Sequence, residues 1–286
     1  MAAFFEGQGW PYEIILVNDG SRDNSWEVVK AKAAENPNVV AINMLRNYGQ
    51  HTAVYCGLEN ATGDWAITLD DDLQNPPEEI VHLVAKAAEG HDVVYGKFKS
   101  KKHSSVRRLG SRLIGMVNTH IFKCPADITL TNYRLMHRDV VKRIVGYRTS
   151  QPYITGLSIM FAANPANALV EHREREVGTS QYTFFRIARL VMRILFNYSA
   201  WPLRMVNTIG MIVAAFSFVL GLYFIIKRLL GNVQVSGWTS LIVLLSFFNG
   251  ISMVILGMLG EYIVRLLNES TSSQIYHVRE KITTND

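Results

Sequence analysis

The sequence predicts an α/β domain built on a parallel, doubly wound sheet, followed by interfacial helices and two transmembrane helices. Three observations carry this. Short apolar runs alternate with helical patterns through the first half of the chain. Two long stretches near the C-terminus hold no charged residue. The composition of the 286 residues is 49% hydrophobic and only 19% charged, with a mean hydropathy of +0.09. That balance excludes disordered and collagen-like chains. A mean hydropathy above zero is high for a soluble enzyme and directs attention to the C-terminal third.

The elements follow in order. Glu13–Val17 (EIILV) reads as a strand and Ser25–Glu35 as a helix. Val39–Asn43 is a strand, Gly49–Asn60 a helix, Trp65–Leu69 a strand, Pro77–Ala88 a helix and Asp92–Gly96 a strand. The strands are continuous apolar runs rich in β-branched residues, which suits burial on both faces. Lys99–Arg112 (KSKKHSSVRRLGSR) is basic and serine-rich and reads as a loop leading into a helix near Leu109–Phe122. The globular domain is expected over 1–176.

The composition changes in the next segment, 177–204. Arg186, Arg189 and Arg193 line one edge of an apolar helical pattern. Such a helix lies well in a membrane interface, and packing on the domain is the competing reading. No charged residue occurs between Arg204 and Lys227, and the apolar parts Met205–Ile226 and Trp238–Leu259 are each long enough to span a bilayer. The segment 205–263 is therefore expected as a hairpin and 264–286 as a cytoplasmic tail. Arginine-rich flanks place both ends in the cytoplasm by the positive-inside rule, giving a multi-pass protein of the bacterial inner membrane. Membrane lipids are expected partners. Gly210, Gly221, Gly250, Gly257 and Gly260 permit close helix packing and a homo-oligomer.

Lys plus Arg is 29 and Asp plus Glu is 24, a formal net charge of +5. This suits anionic lipid or phosphates; nucleic acid is not expected as a partner. Cys56 and Cys124 are the only two cysteines, too few for a disulfide scaffold and suited to a reducing compartment.

Two predicted strands run into acids: EIILV into Asn18-Asp19-Gly20-Ser21, and WAITL into Asp70-Asp71-Asp72-Leu73-Gln74. Ligands of an open parallel sheet bind beyond the carboxyl ends of its strands. Asp70 and Asp72, at i and i+2, can converge on one ion, and adjacent carboxylates repel unless a cation offsets them. A hard divalent cation holding a diphosphate needs such oxygen ligands with open positions for phosphate. The alternative is a solvated acidic turn.

The stretches Val17-Asn18-Asp19-Gly20-Ser21, Arg46-Asn47-Tyr48-Gly49-Gln50, Thr62-Gly63-Asp64 and Asp70-Asp71-Asp72-Leu73-Gln74-Asn75-Pro76-Pro77-Glu78 stand in an order and spacing that resembles glycosyltransferase family 2, in its polyprenyl-phosphate glycosyltransferase branch. The resemblance implies a GT-A fold and an inverting transfer from a nucleotide-diphosphate sugar, foremost a UDP-sugar, to a polyprenyl phosphate. The product would feed cell-surface glycan or lipid A modification. It implies Asp19, Asp70 and Asp71 as nucleotide-sugar-binding residues, and Asp70, Asp72 and Gln74 as holding Mg²⁺ or Mn²⁺. It implies Arg107, Ser111, Arg112 and Arg134 as contacts to acceptor and phosphate, and Asp72 and Asp127 as catalytic residues. The acceptor nucleophile is an already anionic phosphate oxygen, so positioning and charge neutralisation outweigh general-base catalysis.

Two departures from the family pattern are expected to matter. The family's first strand, ending in a P-x-Y-N-E-like stretch, is not found in Met1–Pro11, where Ala2–Gly9 reads as the end of the following helix. The expectation is a sheet lacking that strand and weak donor binding. Gly178-Thr179-Ser180-Gln181-Tyr182 stands where relatives read G-E-S-K-Y, exchanging an acid and a cation for neutral residues. The rival readings are a processive polysaccharide synthase, for which no Q-x-x-R-W stretch is present, and a non-catalytic membrane scaffold.

Overall fold

A computed structural model of the chain describes residues 1–72, 74–98, 115–147, 149, 151–171, 191–192, 194–199, 201–230, 237–271 and 275–283. They fall into two units, Met1–Met192 with Ser272–Asp286, and Arg193–Thr271.

In the first unit, α1 (Ala2–Gln8) precedes β1 (Ile14–Asn18), α2 (Ser25–Glu35), β2 (Val39–Met44) and α3 (Gln50–Asn60). β1 and β2 pair in parallel from Ile14↔Val39 to Asn18↔Asn43. Side chains alternate across a strand, and both faces here are covered. Ile14, Leu16, Val39 and Ala41 pack with Trp26, Val29 and Ala33 of α2. Ile15, Val17, Ile42 and Met44 pack on the other face with Ala53 and Cys56 of α3. Two-sided burial is the reason that these strands read as unbroken apolar runs rather than as an alternation.

The third strand of this sheet is β7 (Val278–Ile282), antiparallel to β2 with a register shift at Asn43/Met44. It lies in the segment read from the sequence as a tail. Its residues VREKI show no apolar run; they are held by polar contacts on both faces. Glu280 accepts from Trp26 Nε1 at 3.2 Å and pairs with Lys30 at 3.0 Å, while Lys281 Nζ donates to Asn60 Oδ1 at 2.8 Å. Tyr276 reaches Glu59 on α3, and Leu45 N–H donates to the His277 carbonyl at 2.9 Å.

The second sheet has the order β3-β5-β4-β6. β3 (Trp65–Thr68) precedes a 3₁₀ turn at Pro77–Glu79, α4 (Ile80–Ala88) and β4 (Val93–Phe98). β5 (Arg134–His137), α5 (Arg138–Gly146), α6 (Ile154–Met160) and β6 (Pro165–Val170) follow. β5 is antiparallel to both β3 and β4, and β4 is parallel to β6. The α/β character and the parallel pairs agree with the sequence reading, but the sheets are mixed rather than parallel throughout. The reasons are β7, which joins β2 in the opposite direction, and β5, which enters between β3 and β4 against their direction. Thr68 Oγ1 donates to the Asn132 carbonyl at 2.5 Å and Gly96 N–H to the Tyr133 carbonyl at 2.9 Å, closing that junction. Ile80, Leu83 and Ala87 of α4 bury against Val94, Tyr133, Leu135 and Val170, with Phe4, Phe5 and Trp10 packed alongside.

Among the described strands β1 pairs with β2 alone and β3 with β5 alone. The Glu13 carboxylate ties their starts together, accepting from Thr62 N–H at 2.6 Å, Thr62 Oγ1 at 2.9 Å and Gly63 N–H at 3.0 Å.

The second unit holds α7 (Trp201–Leu229) and α8 (Trp238–Thr271), of 29 and 34 residues. Their large apolar residues, among them Met211, Ile212, Phe218 and Met253, are exposed. Among the described residues one window, Phe247–Val264, is long and apolar enough to cross a membrane.

The role of β7 is open to a direct test. Ending the chain after Thr271 removes a ladder and three side-chain anchors, on the order of 2–4 kcal/mol. The expected result is a fall of roughly 5–10 °C in the thermal midpoint of the globular unit. An unchanged midpoint by intrinsic fluorescence in detergent would show that β7 adds nothing to it.

Candidate active site

The site starts at the end of β1. Asn18 is buried and its Nδ2 donates to Asn43 Oδ1 at 2.9 Å, tying the ends of β1 and β2. The next residue, Asp19, turns out toward the loop that leads into α3. Its Oδ1 accepts from Tyr48 N–H at 2.7 Å and its Oδ2 from Gly49 N–H at 2.9 Å. Asn47 Nδ2 donates to the Asp19 carbonyl at 3.0 Å. A carboxylate at the start of a helix is electrostatically favoured. The two glycines of this junction are required by the backbone. Gly20 has φ +67°, and a Cβ there would lie 2.5 Å from the Arg46 carbonyl carbon; Gly49 has φ +95°. The Arg46 guanidinium sits over the Tyr48 ring at 5.2 Å from its centroid.

The second acid lies just beyond β3. Asp70 Oδ1 accepts from Gln50 Nε2 at 2.6 Å and Oδ2 from Asn132 Nδ2 at 3.4 Å. Burial is the largest influence and raises the Asp70 pKa; Asp72 and Asp71 push the same way, and the Asn132 and Gln50 amides oppose them. Asp71 is exposed, and Asp72 Oδ1 accepts from Gln74 N–H at 3.3 Å. Asp19 and Asp70 are thus joined through one turn, Tyr48-Gly49-Gln50, which contacts the first by backbone and the second by side chain. Among the described residues no three His, Cys, Asp or Glu side chains converge as a finished metal cage. The donor set still fits a substrate-completed cation, since Mg²⁺ takes one or two protein carboxylates and fills the rest of its shell with phosphate and water.

Arg134 opens β5 and is 1% exposed. Its Nη1 donates to Ser158 Oγ at 3.3 Å, and that hydroxyl also meets Tyr95 Oη at 2.9 Å and donates to the Thr155 carbonyl at 3.0 Å. Arg134 Nε has no hydrogen-bond partner among the described residues. Burial lowers its pKa, opposed by Tyr95, Tyr153 and Asp70. A buried cation with an unused donor and no carboxylate bonded to it is an electrostatic vacancy for an anion.

Of the residues expected from the sequence, the structure brings Asp19 and Asp70 together through one turn and sets Asp70 close enough to Arg134 to influence it electrostatically. Asp127 stands apart, exposed in a turn at 126–127, with no hydrogen bond to Asp70, Asp72 or Arg134 among the described residues. Arg107, Ser111 and Arg112 lie outside the described residues, as do Leu73, Thr179, Gln181, Arg186, Arg189 and Arg193. Gln50 and Asn132 were not singled out as site residues. Gln50 ends a quoted motif and Asn132 stands two residues before Arg134, but an amide facing a distant carboxylate leaves no mark in spacing.

The profile of glycosyl transferase family 2 matches residues 7–145. The undecaprenyl-phosphate 4-deoxy-4-formamido-L-arabinose transferase of Shewanella sediminis is 38% identical over 282 residues, covering 96% of this chain and 84% of that protein. The chain belongs to glycosyl transferase family 2 and is a glycosyltransferase. Among solved structures, glucosyl-3-phosphoglycerate synthase of Mycobacterium tuberculosis with phosphoglyceric acid is 18% identical, at a TM-score of 0.44 over 65% of this chain and 67% of that one. The same synthase with Mn²⁺, UDP-glucose and phosphoglyceric acid is 18% identical, at a TM-score of 0.42 over 64% of this chain and 66% of that one.

Arg134 yields a prediction with opposite signs for stability and activity. Replacing a buried charge that has no carboxylate partner by an apolar residue of similar length removes its desolvation cost. Arg134→Met is therefore expected to keep or raise the thermal midpoint while glycosyl transfer falls by about two orders of magnitude. Loss of both would mark Arg134 as a structural group instead.

Proposed function

We propose that the chain transfers a sugar from a nucleotide-diphosphate sugar, foremost a UDP-sugar, to a polyprenyl phosphate, with inversion at the anomeric carbon. The observation that carries this is the pairing of a strand-end acid turn, Asp19 with Asp70, and a buried cation with an unused donor, Arg134, which Asp70 influences electrostatically. The relative's identity over 96% of the chain supports a lipid-phosphate acceptor.

In this reading Asp19, held by the Tyr48 and Gly49 amides, receives the nucleoside end of the donor. Asp70, Asp72 and the Gln74 side chain would hold Mg²⁺ or Mn²⁺, which supplies charge neutralisation to the leaving diphosphate. Arg134 draws in the acceptor phosphate, whose oxygen attacks the anomeric carbon as the bond to the nucleotide diphosphate breaks. The nucleophile is anionic from the outset, so no residue has to remove a proton. Asp127 receives no step. The reading of Arg107, Ser111 and Arg112 as further phosphate contacts rests on their charge and position in the sequence.

The hairpin reading of α7 and α8 belongs here too. β7 follows α8 and β1 precedes α7, and both strands flank β2 in one sheet. In this reading β1 and β7, sharing a sheet, stay in one compartment, and the crossings between them are even in number. Two helices of this length give two crossings, and the arginine-rich flanks put the glycosyltransferase unit in the cytoplasm of a bacterial inner membrane. There it meets both nucleotide sugar and lipid phosphate.

Two experiments test these readings. Asp72→Asn is expected to lower turnover by roughly two or more orders of magnitude, the scale of losing one electrostatic stabiliser. EDTA should abolish transfer and Mn²⁺ or Mg²⁺ restore it; full activity in EDTA removes the metal from the scheme. For topology, a cysteine at position 236, replacing Ser236, should react with an impermeant maleimide on intact cells, and one replacing Ser272 only after lysis. Cys56 and Cys124 are buried and give little background. The reverse labelling pattern refutes the cytoplasmic placement.

A further inference from the structure

The buried side of Asp70 is solvated in an unusual manner. One carboxylate oxygen takes the Gln50 amide at 2.6 Å and the other the Asn132 amide at 3.4 Å. Both donors are neutral. No lysine, arginine or histidine forms an ion pair with Asp70 among the described residues; the buried Arg134 donates to Ser158 instead. Neutral donors stabilise a carboxylate without cancelling its charge. A lysine or arginine in either place would satisfy the same oxygens and compete with an incoming cation.

The two amides are themselves fixed. Gln50 opens α3 directly after Gly49, whose N–H is held by Asp19. Asn132 accepts from Thr155 Oγ1 at 3.4 Å with its side-chain oxygen, and its carbonyl takes Thr68 Oγ1 at 2.5 Å. Asp70 is therefore gripped from the α3 side and from the β5 side, and its rotamer is set before substrate arrives.

We infer that Gln50 and Asn132 are positioning residues that hold the Asp70 carboxylate oriented for the cation of the donor diphosphate. This rests on the metal reading given above. The two residues act through Asp70, and Gln50 carries the larger share, its bond being the shorter and better formed.

Gln50→Leu is the discriminating variant, because Gln50 is exposed and its loss removes no packing. Mn²⁺ is titrated into the full chain in detergent, with saturating UDP, and bound ion is read by electron spin resonance. The expected result is a Kd for Mn²⁺ about tenfold or more above wild type, the scale of one hydrogen bond to a charged group. The thermal midpoint of the ion-free protein should stay within about 2 °C of wild type. Turnover lost at low Mn²⁺ should return at high Mn²⁺, which a misfolded site would not allow. Asn132→Ala should show the same rescue with a smaller shift. Wild-type Mn²⁺ affinity in Gln50→Leu, or a loss that excess Mn²⁺ does not rescue, overturns the inference and leaves the metal reading standing. A wild-type chain that binds no Mn²⁺ overturns the metal reading and this inference with it.

Discussion

The Asp19 carboxylate, bonded through both oxygens to consecutive backbone N–H groups at the entry to α3, organises what surrounds it. Those amides precede the helix and have no partner within it, so the acid satisfies donors that would otherwise need water. The same contact fixes the distance between the end of β1 and the end of β2. It forces Gly20 against the Arg46–Asn47 backbone, where no side chain fits. It also aims Gln50 at Asp70, so the second acid inherits its place from the first.

The arrangement explains how two separate sheets can present a single site. β1 and β3 are not hydrogen-bonded to each other among the described strands, and their relation depends on side chains at both ends. Glu13 holds the starts together, and the Asp19–turn–Asp70 chain holds the ends. Polar contacts of this kind are directional and fail as a group when one member is lost, unlike the diffuse packing of the cores on either side.

The fold was legible where burial dictates composition. EIILV, VVAIN and WAIT announce strands because both of their faces, or most of them, are covered, and α2 and α3 appear at their sequence-read positions within a residue. β5 was not legible as the intruder between β3 and β4, since insertion order is a property of the long connection before it and not of RLMH itself. β7 escaped because its stability comes from Glu280 and Lys281 reaching opposite faces, a pattern that reads as a solvated tail. In the site, the acids were legible from their place at strand ends. Their neutral amide partners were not, because Gln50 and Asn132 are ordinary polar residues until the fold sets them opposite Asp70.

The return of the chain to its first sheet has a consequence for biosynthesis. Trp26 and Glu280 touch across 254 residues of sequence, so β2 leaves the ribosome long before the strand that completes its edge. During that interval the edge of β2 is open, and open edges recruit other chains. The intervening stretch includes the two long helices α7 and α8, both of which leave the ribosome before β7. Completion of the first sheet is therefore scheduled behind synthesis of both long helices, and a chain stalled between the two carries an unfinished sheet prone to aggregation.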